Sequence, residues 1–506
     1  MVLVSETFYP FHSQISKEDC MRKISRWLSL GLTGVFAVSV LAGCGSSTAT
    51  SSGAASTAAG ATSAATAAPA ADSSAAASSA AASGTAASGG DYDVDNMNFN
   101  NVQLKVCFRF SNDAKDGQGS WYYKKLDEFN KKFQGKINVT DESISTESDY
   151  LDKLSTDFAS GDAPNAFVQY GGSRTKEYVD AGYILDMTPY FKQYPDWYNG
   201  VQSFAWETTQ FDGHEGATYG IPWSSYQLVM YYNKTLLKNA GVEVPESWDQ
   251  LLAACKTLKE KGIQPFDYSD KDNYHYEHLM SVMALKAYGK SIRDDLASGT
   301  DNYGGEKMVA VYQKMKDMID AGYWGDAILS TDVATERSNF EAGNAAFFID
   351  GTWEAGNFQN DEDNKLFSNQ EIGVARVPYI DEQYKTTEMG GGSDTYYVVT
   401  LNKTPEEIAA TVEFVKYLTT TDAINEMCQS SPTTYAEKVT IDTGNYLLND
   451  INKIMAENTD SSLEIPNYDT NTSAMDTIRA SLQALATGSS AADVGKDIVD
   501  TMAKYE

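Results

Sequence analysis

Apolar residues between positions 102 and 168 switch repeatedly between two spacings, and this switching predicts a β-α-β-α-β unit. Val102–Phe108, Ile137–Val139 and Ala166–Val168 are short apolar runs typical of buried strands. Between them, apolar side chains recur at helical spacing across residues 121–133 and 150–158. Strands that alternate with helices favour a largely parallel sheet covered by helices, so the predicted fold class is α/β.

A second series of helices follows further along the chain and has its own start and stop signals. Ser247 precedes Gln250 by the spacing of a capping box, and Gly262 follows the last apolar position of that helix. Thr404 and Glu407 repeat the capping-box spacing with a proline between them. Each series has its own apolar stripes, which predicts two lobes with separate cores.

The N-terminal segment has the pattern of an export signal. Residues 21–26 are basic, and the uncharged apolar stretch that follows is too short to span a bilayer. Residues 1–20 do not fit this pattern, so we expect Met21 to be the true start of a signal peptide that ends at residue 43. Leu41–Cys44 resembles the bacterial lipobox, which predicts a lipid on Cys44.

Residues 44–90 form a predicted linker behind the lipid-bearing cysteine. The stretch is almost entirely Ala, Ser, Thr and Gly, with a single charged residue. It has no large apolar side chains to bury, so we expect it to stay disordered and to act as a flexible spacer.

The chain is strongly acidic, with a formal net charge of −31. This charge disfavours nucleic acid and anionic membrane surfaces as partners, and leaves neutral or cationic small molecules. Beyond the signal and its cysteine, Cys107, Cys255 and Cys428 are widely separated and show no CxxC spacing. We expect three buried thiols, although the sequence leaves open a disulfide between two of them.

A screen for catalytic and metal-binding motifs favours binding over chemistry. His275 and His278 stand three residues apart but have no identifiable third ligand, so polar positions on a helix surface or in a pocket are expected. Residues 91–102 begin like a calcium loop but lack its glycine and its final glutamate. No GxSxG nucleophile motif occurs. We therefore expect no cofactor, no metal and no enzymatic activity.

Three stretches carry a resemblance to a known family. They are Tyr219–Trp248, which contains YGIPW and YYNK, Phe340–Trp353, and Gly390–Asp394 followed by the helix from Thr404. In order and spacing they closely resemble the extracellular solute-binding proteins of sugar ABC importers, the family that includes maltose-binding protein. The resemblance covers nearly everything from about Val102 to the C-terminus.

The resemblance implies a type II periplasmic-binding-protein-like fold, in which two α/β lobes joined by hinge strands enclose a ligand cleft. It implies a first lobe of residues 98–223 with 389–430 and a second lobe of residues 228–385 with 431–506. The implied hinge crossings are Ser224–Gln227, Glu388–Gly391 and Ser431–Thr434.

The resemblance also implies where a sugar would bind. Sugars are held by aromatic faces against their C–H surfaces and by planar polar side chains against their hydroxyls. Trp353 matches the stacking tryptophan of the family, whereas the position of Tyr226 is acidic in maltodextrin binders, which counts against maltose itself. The implied ligand contacts are Trp353, Tyr170, Trp223, Tyr226, Asn112, Asp113, Asp350, Glu354, Gly392, Ser393, Asp394, Arg174, Tyr274 and Tyr276. Core packing is expected instead for Trp121, Trp206, Trp248 and Trp324.

The function implied is that of the extracellular substrate-binding component of an ABC importer. Such a protein captures a sugar through lobe closure and delivers it to the membrane permease. For this chain we expect the sugar to be a neutral oligosaccharide. We expect a monomer on the extracellular face of a Gram-positive cell membrane, touching the membrane only through the lipid on Cys44. Three alternatives remain open at this stage: a surface glycan-active enzyme, a glycan-binding adhesion or sensor module, and a binder of peptides or of a cation. The abundance of aromatic residues and the lack of a metal-ligand cluster in the sequence weigh against the cation.

Overall fold

The computed structural model describes residues 94, 97–112, 116–468 and 474–505. The predicted signal peptide, the predicted lipidation site at Cys44 and the predicted linker lie outside the described residues. The strands are β1 (Val102–Cys107), β2 (Ile137–Asp141), β3 (Ala166–Gln169), β4 (Ile221–Pro222), β5 (Ser225–Asn233), β6 (Phe347–Gly351), β7 (Ile372–Arg376), β8 (Thr387–Gly392), β9 (Thr395–Val398) and β10 (Asp460–Ser462).

Helices account for most of the remaining regular structure. The α-helices are α1 (Gly117–Lys132), α2 (Glu147–Ser160), α3 (Ser173–Asp180), α4 (Thr188–Gln193), α5 (Pro195–Gly200), α6 (Lys234–Ala240), α7 (Trp248–Glu260), α8 (His275–Tyr288), α9 (Ser291–Ala297), α10 (Glu306–Asp320), α11 (Val333–Glu341), α12 (Glu354–Asn360), α13 (Lys365–Ser368), α14 (Pro405–Leu418), α15 (Thr421–Ser430), α16 (Tyr446–Ala456), α17 (Ala474–Leu482) and α18 (Ala491–Met502). Short 3-10 helices cover Ser203–Thr209, Thr300–Gly304, Glu382–Tyr384, Ile465–Tyr468 and Gln483–Leu485.

The first lobe is built on a five-stranded sheet in the order β2-β1-β3-β9-β4. β1 pairs in parallel with both β2 and β3, which confirms the predicted β-α-β-α-β unit. β9 and β4 are antiparallel additions that the sequence pattern did not predict. Both of them adjoin the points where the chain passes between the lobes, so their direction is set by the hinge and not by a helical crossover.

The second lobe is built on a sheet in the order β10-β8-β5-β6, with β7 also paired to β5. β5 pairs antiparallel with β6, β7 and β8, so this sheet departs from the parallel arrangement that the helix–strand rhythm suggested. Helices α7, α8, α10, α17 and α18 supply most of its large apolar core. Each sheet thus has its own core, as the separate apolar stripes predicted.

The hinge crossings differ in detail from those that the resemblance implied. Between β4 and β5 the chain crosses at residues 223–224, and β8 stays in the second sheet to its end, so the return crossing falls at residues 393–394. Tyr435 still packs in the first-lobe core, whereas the Asn445 side chain donates to the carbonyl of Ala355 in the second lobe, at 2.6 Å. The third crossing therefore lies after residue 434. Backbone bridges from Tyr435 to Ser224 and from Glu437 to Val201 hold this segment on the first lobe.

Several local predictions are confirmed. Both capping boxes form, one at the start of α7 and one at the start of α14. Cys107, Cys255 and Cys428 are buried and free. The four tryptophans assigned to the core, Trp121, Trp206, Trp248 and Trp324, are at most 5% exposed.

Candidate functional site

Two hinge segments meet at the base of the cleft and are tied together by Asp394. The backbone N–H of Trp223 donates to the Asp394 carbonyl at 3.1 Å, and the hydroxyl of Ser224 donates to the Asp394 carboxylate at 3.1 Å. Ser393 donates its N–H to the Ser224 carbonyl at 3.0 Å. The predicted contacts Ser393 and Asp394 thus lie directly beside the crossing that carries Trp223.

On the first lobe, two arginines lie over the ring of Tyr170, which directly follows β3. Arg109 comes just after β1, and Arg174 lies in the first turn of α3. The guanidinium carbon of Arg109 lies 4.8 Å from the centre of the Tyr170 ring, and that of Arg174 lies 5.7 Å from it. Arg109 also donates to Asp394 at 2.6 Å, and Arg174 donates to Glu147 at 3.1 Å. Tyr170 is therefore a fixed aromatic surface with paired charges around it.

Arg109 was missed by the sequence reasoning. It follows β1 at the end of a parallel strand, where ligands commonly bind in α/β sheets, and this position was the signal that could have identified it. Asn112, which was predicted from the same stretch, is exposed in the loop beyond it. Asp113 lies outside the described residues.

On the second lobe, aromatic rings from three elements come together. The Tyr226 ring on β5 lies 6.0 Å from the Trp353 ring and 6.4 Å from the imidazole of His278 on α8, centre to centre. Tyr274, at the start of α8, packs edge-on against His278 with centres 5.0 Å apart. Four of the predicted aromatic contacts therefore lie near charged or imidazole groups. Tyr170 is on the first lobe, and Tyr226, Tyr274 and Trp353 are on the second.

His278 connects this aromatic group to a half-buried carboxylate. Its Nε2 lies 3.3 Å from a carboxylate oxygen of Glu464. Burial raises the pKa of Glu464, but the hydrogen bond and the charge of His278 outweigh burial, and the pKa falls to about 2. Glu464 is accordingly an ionised hydrogen-bond acceptor at neutral pH. Its role was not foreseen, because nothing in the local sequence around residue 464 distinguishes it.

Trp353 is positioned by a buried chain of charged groups beneath it. The indole Nε1 donates to Asp350 at 3.3 Å, and Asp350 also accepts from the Gly351 N–H at 2.8 Å. His275 lies between two buried carboxylates, 3.5 Å from Asp350 and 3.3 Å from Glu336. Burial lowers the pKa of His275, but the two carboxylates raise it by more than burial lowers it. The pKa of His275 therefore lies well above its ordinary value, and the imidazole is cationic.

Two predicted ligand contacts, Glu354 and Tyr276, are buried too deeply to touch a ligand. Glu354 is fully buried and is paired with Arg337. Burial raises the pKa of Glu354 to about 7, although Arg337 opposes the shift. Tyr276 is fully buried against Tyr268 and Trp324 in the second-lobe core. The structure does not bring Tyr276 into the aromatic group, because its position on α8 turns the ring into the core.

Trp223 and Gly392 line the hinge from within. Trp223 is 3% exposed and packs between Phe110 and Tyr396. Its indole Nε1 has no hydrogen-bond partner among the described residues. A Cβ added at Gly392 would lie 2.7 Å from the Ala205 carbonyl oxygen, so only glycine permits this close approach.

The lobes touch each other across the cleft. Arg293 on α9 of the second lobe donates to Glu207 of the first lobe at 2.9 Å, and Arg174 lies 3.0 Å from the sulfur of Met475 on α17. Aromatic rings and paired charges therefore lie on both lobes, and the lobes are in contact with each other. Such a site can hold a polar ligand by stacking and hydrogen bonding.

Two searches of the described residues bear on other classes of protein. No group of three or more His, Cys, Asp or Glu side chains in the described ranges is arranged to hold a metal ion. None of the helices in those ranges is both long and apolar enough to cross a membrane.

Two α/β lobes around a cleft, joined by hinge segments, define the class of two-lobed ligand-binding proteins. The chain belongs to the bacterial extracellular solute-binding protein family, whose sequence profile matches residues 113–424. This confirms the family and the fold that the sequence resemblance implied.

Known relatives and solved structures agree with this family. The chain is 24% identical to the maltodextrin-binding protein MdxE of Bacillus subtilis, over 54% of this chain and 61% of that protein. It is 26% identical to a maltooligosaccharide ABC transporter solute-binding lipoprotein of Streptococcus pneumoniae, over 41% of this chain and 46% of the relative. The chain spans about half the length of the curated relatives it matches.

Structural similarity extends over the whole of the solved proteins. One comes from a study of xylan utilization by Caldanaerobius polysaccharolyticus: it superposes with a TM-score of 0.69 at 22% identity, covering 79% of this chain and all of that chain. A chitin oligosaccharide binding protein also gives a TM-score of 0.69, at 18% identity, covering 80% of this chain and 98% of that chain. These likenesses support the fold.

Proposed function

We propose that the chain is the extracellular substrate-binding component of an ABC importer and that it captures a neutral oligosaccharide by lobe closure. The observation that carries the proposal is that each lobe holds aromatic rings close to the segments that join the two lobes. Tyr170 is held on the first lobe, and Tyr226 and Trp353 lie together on the second. A sugar ring between them makes its full set of contacts only when the lobes are closed, so binding favours closure.

The charge pattern of the cleft supports a neutral ligand. Arg109 is paired with Asp394, and Arg174 with Glu147. On the second lobe, Arg479 lies 3.3 Å from Glu277. A uronic acid or a phosphorylated sugar gains little from cations that already have carboxylate partners. Planar charged groups in such pairs still offer hydrogen-bond donors and acceptors to sugar hydroxyls.

The names of the relatives support a glycan as the ligand class. Two of them are named for maltooligosaccharide or maltodextrin binding, and a Streptomyces coelicolor relative is named for diacetylchitobiose. The family to which the chain belongs also supports delivery of the bound sugar to a membrane permease. The lipobox-like sequence that ends at Cys44 supports attachment to the outer face of the membrane through lipid. We also propose that the chain acts as a monomer.

A thermal-shift screen of the purified protein against mono- and oligosaccharides tests this function. A ligand that binds the folded state raises its melting temperature. We expect a neutral oligosaccharide to do so, and Trp353→Ala to weaken its binding at least tenfold in calorimetry while the protein stays folded. The absence of a shift with every sugar, or an unchanged affinity in the variant, would contradict the proposal or its site respectively.

A further inference from the structure

A second cavity adjoins the aromatic cleft and is lined by both lobes. Its volume is about 1010 Å³, at the upper end of the usual range for small-molecule sites. The first lobe contributes Gly172, Tyr198 and Glu207, and the second lobe contributes Arg293 and Asn467. Because two lobes build it, the cavity takes its present shape when the lobes are together.

Residues at the edge of the cavity connect it to the cleft. Gly172 lies two positions beyond Tyr170 in the chain, and a Cβ added at Gly172 would lie 2.7 Å from the Asn467 carbonyl oxygen. Asn467, which lines the cavity, donates its amide N–H to Glu464 at 2.8 Å, and Glu464 in turn lies 3.3 Å from His278 of the aromatic group. These contacts place the cavity beside the aromatic group, so a ligand longer than one site would reach the other.

The cavity contains an aromatic surface that is fixed and yet exposed. Tyr198 is 37% exposed, one of three large apolar or aromatic side chains in the described residues that are this accessible. One face of its ring stacks on the buried Trp206, with ring centres 4.4 Å apart and planes 13° from parallel. The stacking holds the ring in place without covering it, which suits a platform for the C–H face of a sugar.

A buried polar atom in the cavity lacks a partner. Asn467 is 6% exposed and lines the cavity. Its amide nitrogen is bound to Glu464, whereas its side-chain oxygen has no hydrogen-bond partner among the described residues. A buried acceptor without a partner is costly, and a sugar hydroxyl would satisfy it.

The charges of the lining argue against an acidic sugar. Six carboxylates line the cavity, against three lysine or arginine side chains. One of the cations, Arg293, is already bound to Glu207 at 2.9 Å. An uncharged glycosyl unit is therefore favoured over a uronate.

We propose that this cavity is a second sugar subsite, which binds the far end of an oligosaccharide whose other end lies between Tyr170 and Trp353. Tyr198 provides the stacking surface and Asn467 accepts a hydroxyl. This inference rests on the proposed function and adds to it that the preferred ligand is longer than the cleft alone holds.

Calorimetry with sugars of increasing length tests the subsite. The probes are xylo-, chito- and malto-oligosaccharides from the disaccharide to the heptasaccharide, titrated into wild-type protein, Tyr198→Leu and Tyr198→Phe. In the series that binds, we expect wild-type affinity to rise with length. Tyr198→Leu should reduce that rise about three- to tenfold, the usual effect of one aromatic contact. Tyr198→Phe should restore it, because the stacking ring is retained.

Tyr505→Leu is the matched control, since Tyr505 is also an exposed tyrosine, at 64%, but does not line the cavity. Its length dependence should equal that of the wild type, and melting temperatures should show that all variants are folded. An identical length dependence in the wild type and Tyr198→Leu would overturn the subsite while leaving the proposed function intact. If no series binds the wild-type protein, the proposed function fails and the subsite fails with it.

Discussion

Gly351→Ala displaces the Trp353 ring without removing it, and so tests whether the position of the indole matters for binding. Gly351 is the last residue of β6. A Cβ built at this position would lie 2.2–2.4 Å from three atoms of the Trp353 ring. The backbone of Gly351 does not have a positive φ, so alanine is compatible with the local conformation and the clash with the ring is the main effect.

The expected loss of affinity follows from the size of this clash. Carbon atoms in contact sit about 3.5 Å apart, so the ring must move by more than about 1 Å. A gap of up to about 1 Å forfeits roughly a quarter to a half of a dispersion contact. Removing a well-placed tryptophan from a binding site costs about 2 kcal/mol or more. We therefore expect Gly351→Ala to cost about 1 kcal/mol of binding free energy, which is about a fivefold increase in Kd.

Calorimetry with the sugar identified by the thermal-shift screen measures this loss. Gly299→Ala is the matched control: its backbone is extended, with φ of 176°, and the nearest atom to an added Cβ is 3.8 Å away. The control should bind like the wild type. A Gly351→Ala protein that is folded and binds with unchanged affinity would show that the placement of Trp353 on Gly351 plays no part in recognition.

Three further predictions concern pH and anchoring. Burial raises the pKa of Glu437 to about 8, so its stabilising proton is lost as the pH rises towards and through that value; Glu437→Gln should melt increasingly above the wild type between about pH 5 and pH 9 in thermal denaturation. The pKa of His275 is raised by Asp350 and Glu336 against the effect of burial, so its contribution to stability is complete below about pH 6.5 and declines steadily as the pH rises above that value. In urea titrations, His275→Gln should therefore be least stable relative to the wild type near pH 6, and a deficit independent of pH would contradict a cationic imidazole. Cys44→Ser should move the protein from the membrane fraction to the medium in cell fractionation without loss of sugar binding, and loss of binding would contradict the separation of anchor from site.

Local spacing made much of the fold predictable. The parallel β1, β2 and β3 and the capped helices α7 and α14 depend on residues close together in the chain. The antiparallel strands β4 and β9 and the third crossing were not predictable in the same way. They depend on pairings such as Ser224 with Tyr435, which only the folded chain brings together.

Prediction of the site from the sequence was limited for the same reason. Arg109 and Asp394 are 285 positions apart, so no local pattern relates them. Tyr274 and Tyr276 looked equivalent in the sequence, yet α8 begins at His275 without a side-chain cap to mark its start. Successive residues of a helix turn by about 100°, so side chains two positions apart face different ways. One tyrosine thus lies beside His278 and the other lies in the core.

The central claim is that a sugar in the cleft holds the two lobes together. Small-angle X-ray scattering of the protein with and without its sugar measures this directly. We predict that saturating sugar lowers the radius of gyration and brings the scattering curve into agreement with the present structure, in which the lobes are in contact. Trp353→Ala should need at least tenfold more sugar for the same change. A radius of gyration that does not change at saturation would contradict capture by lobe closure.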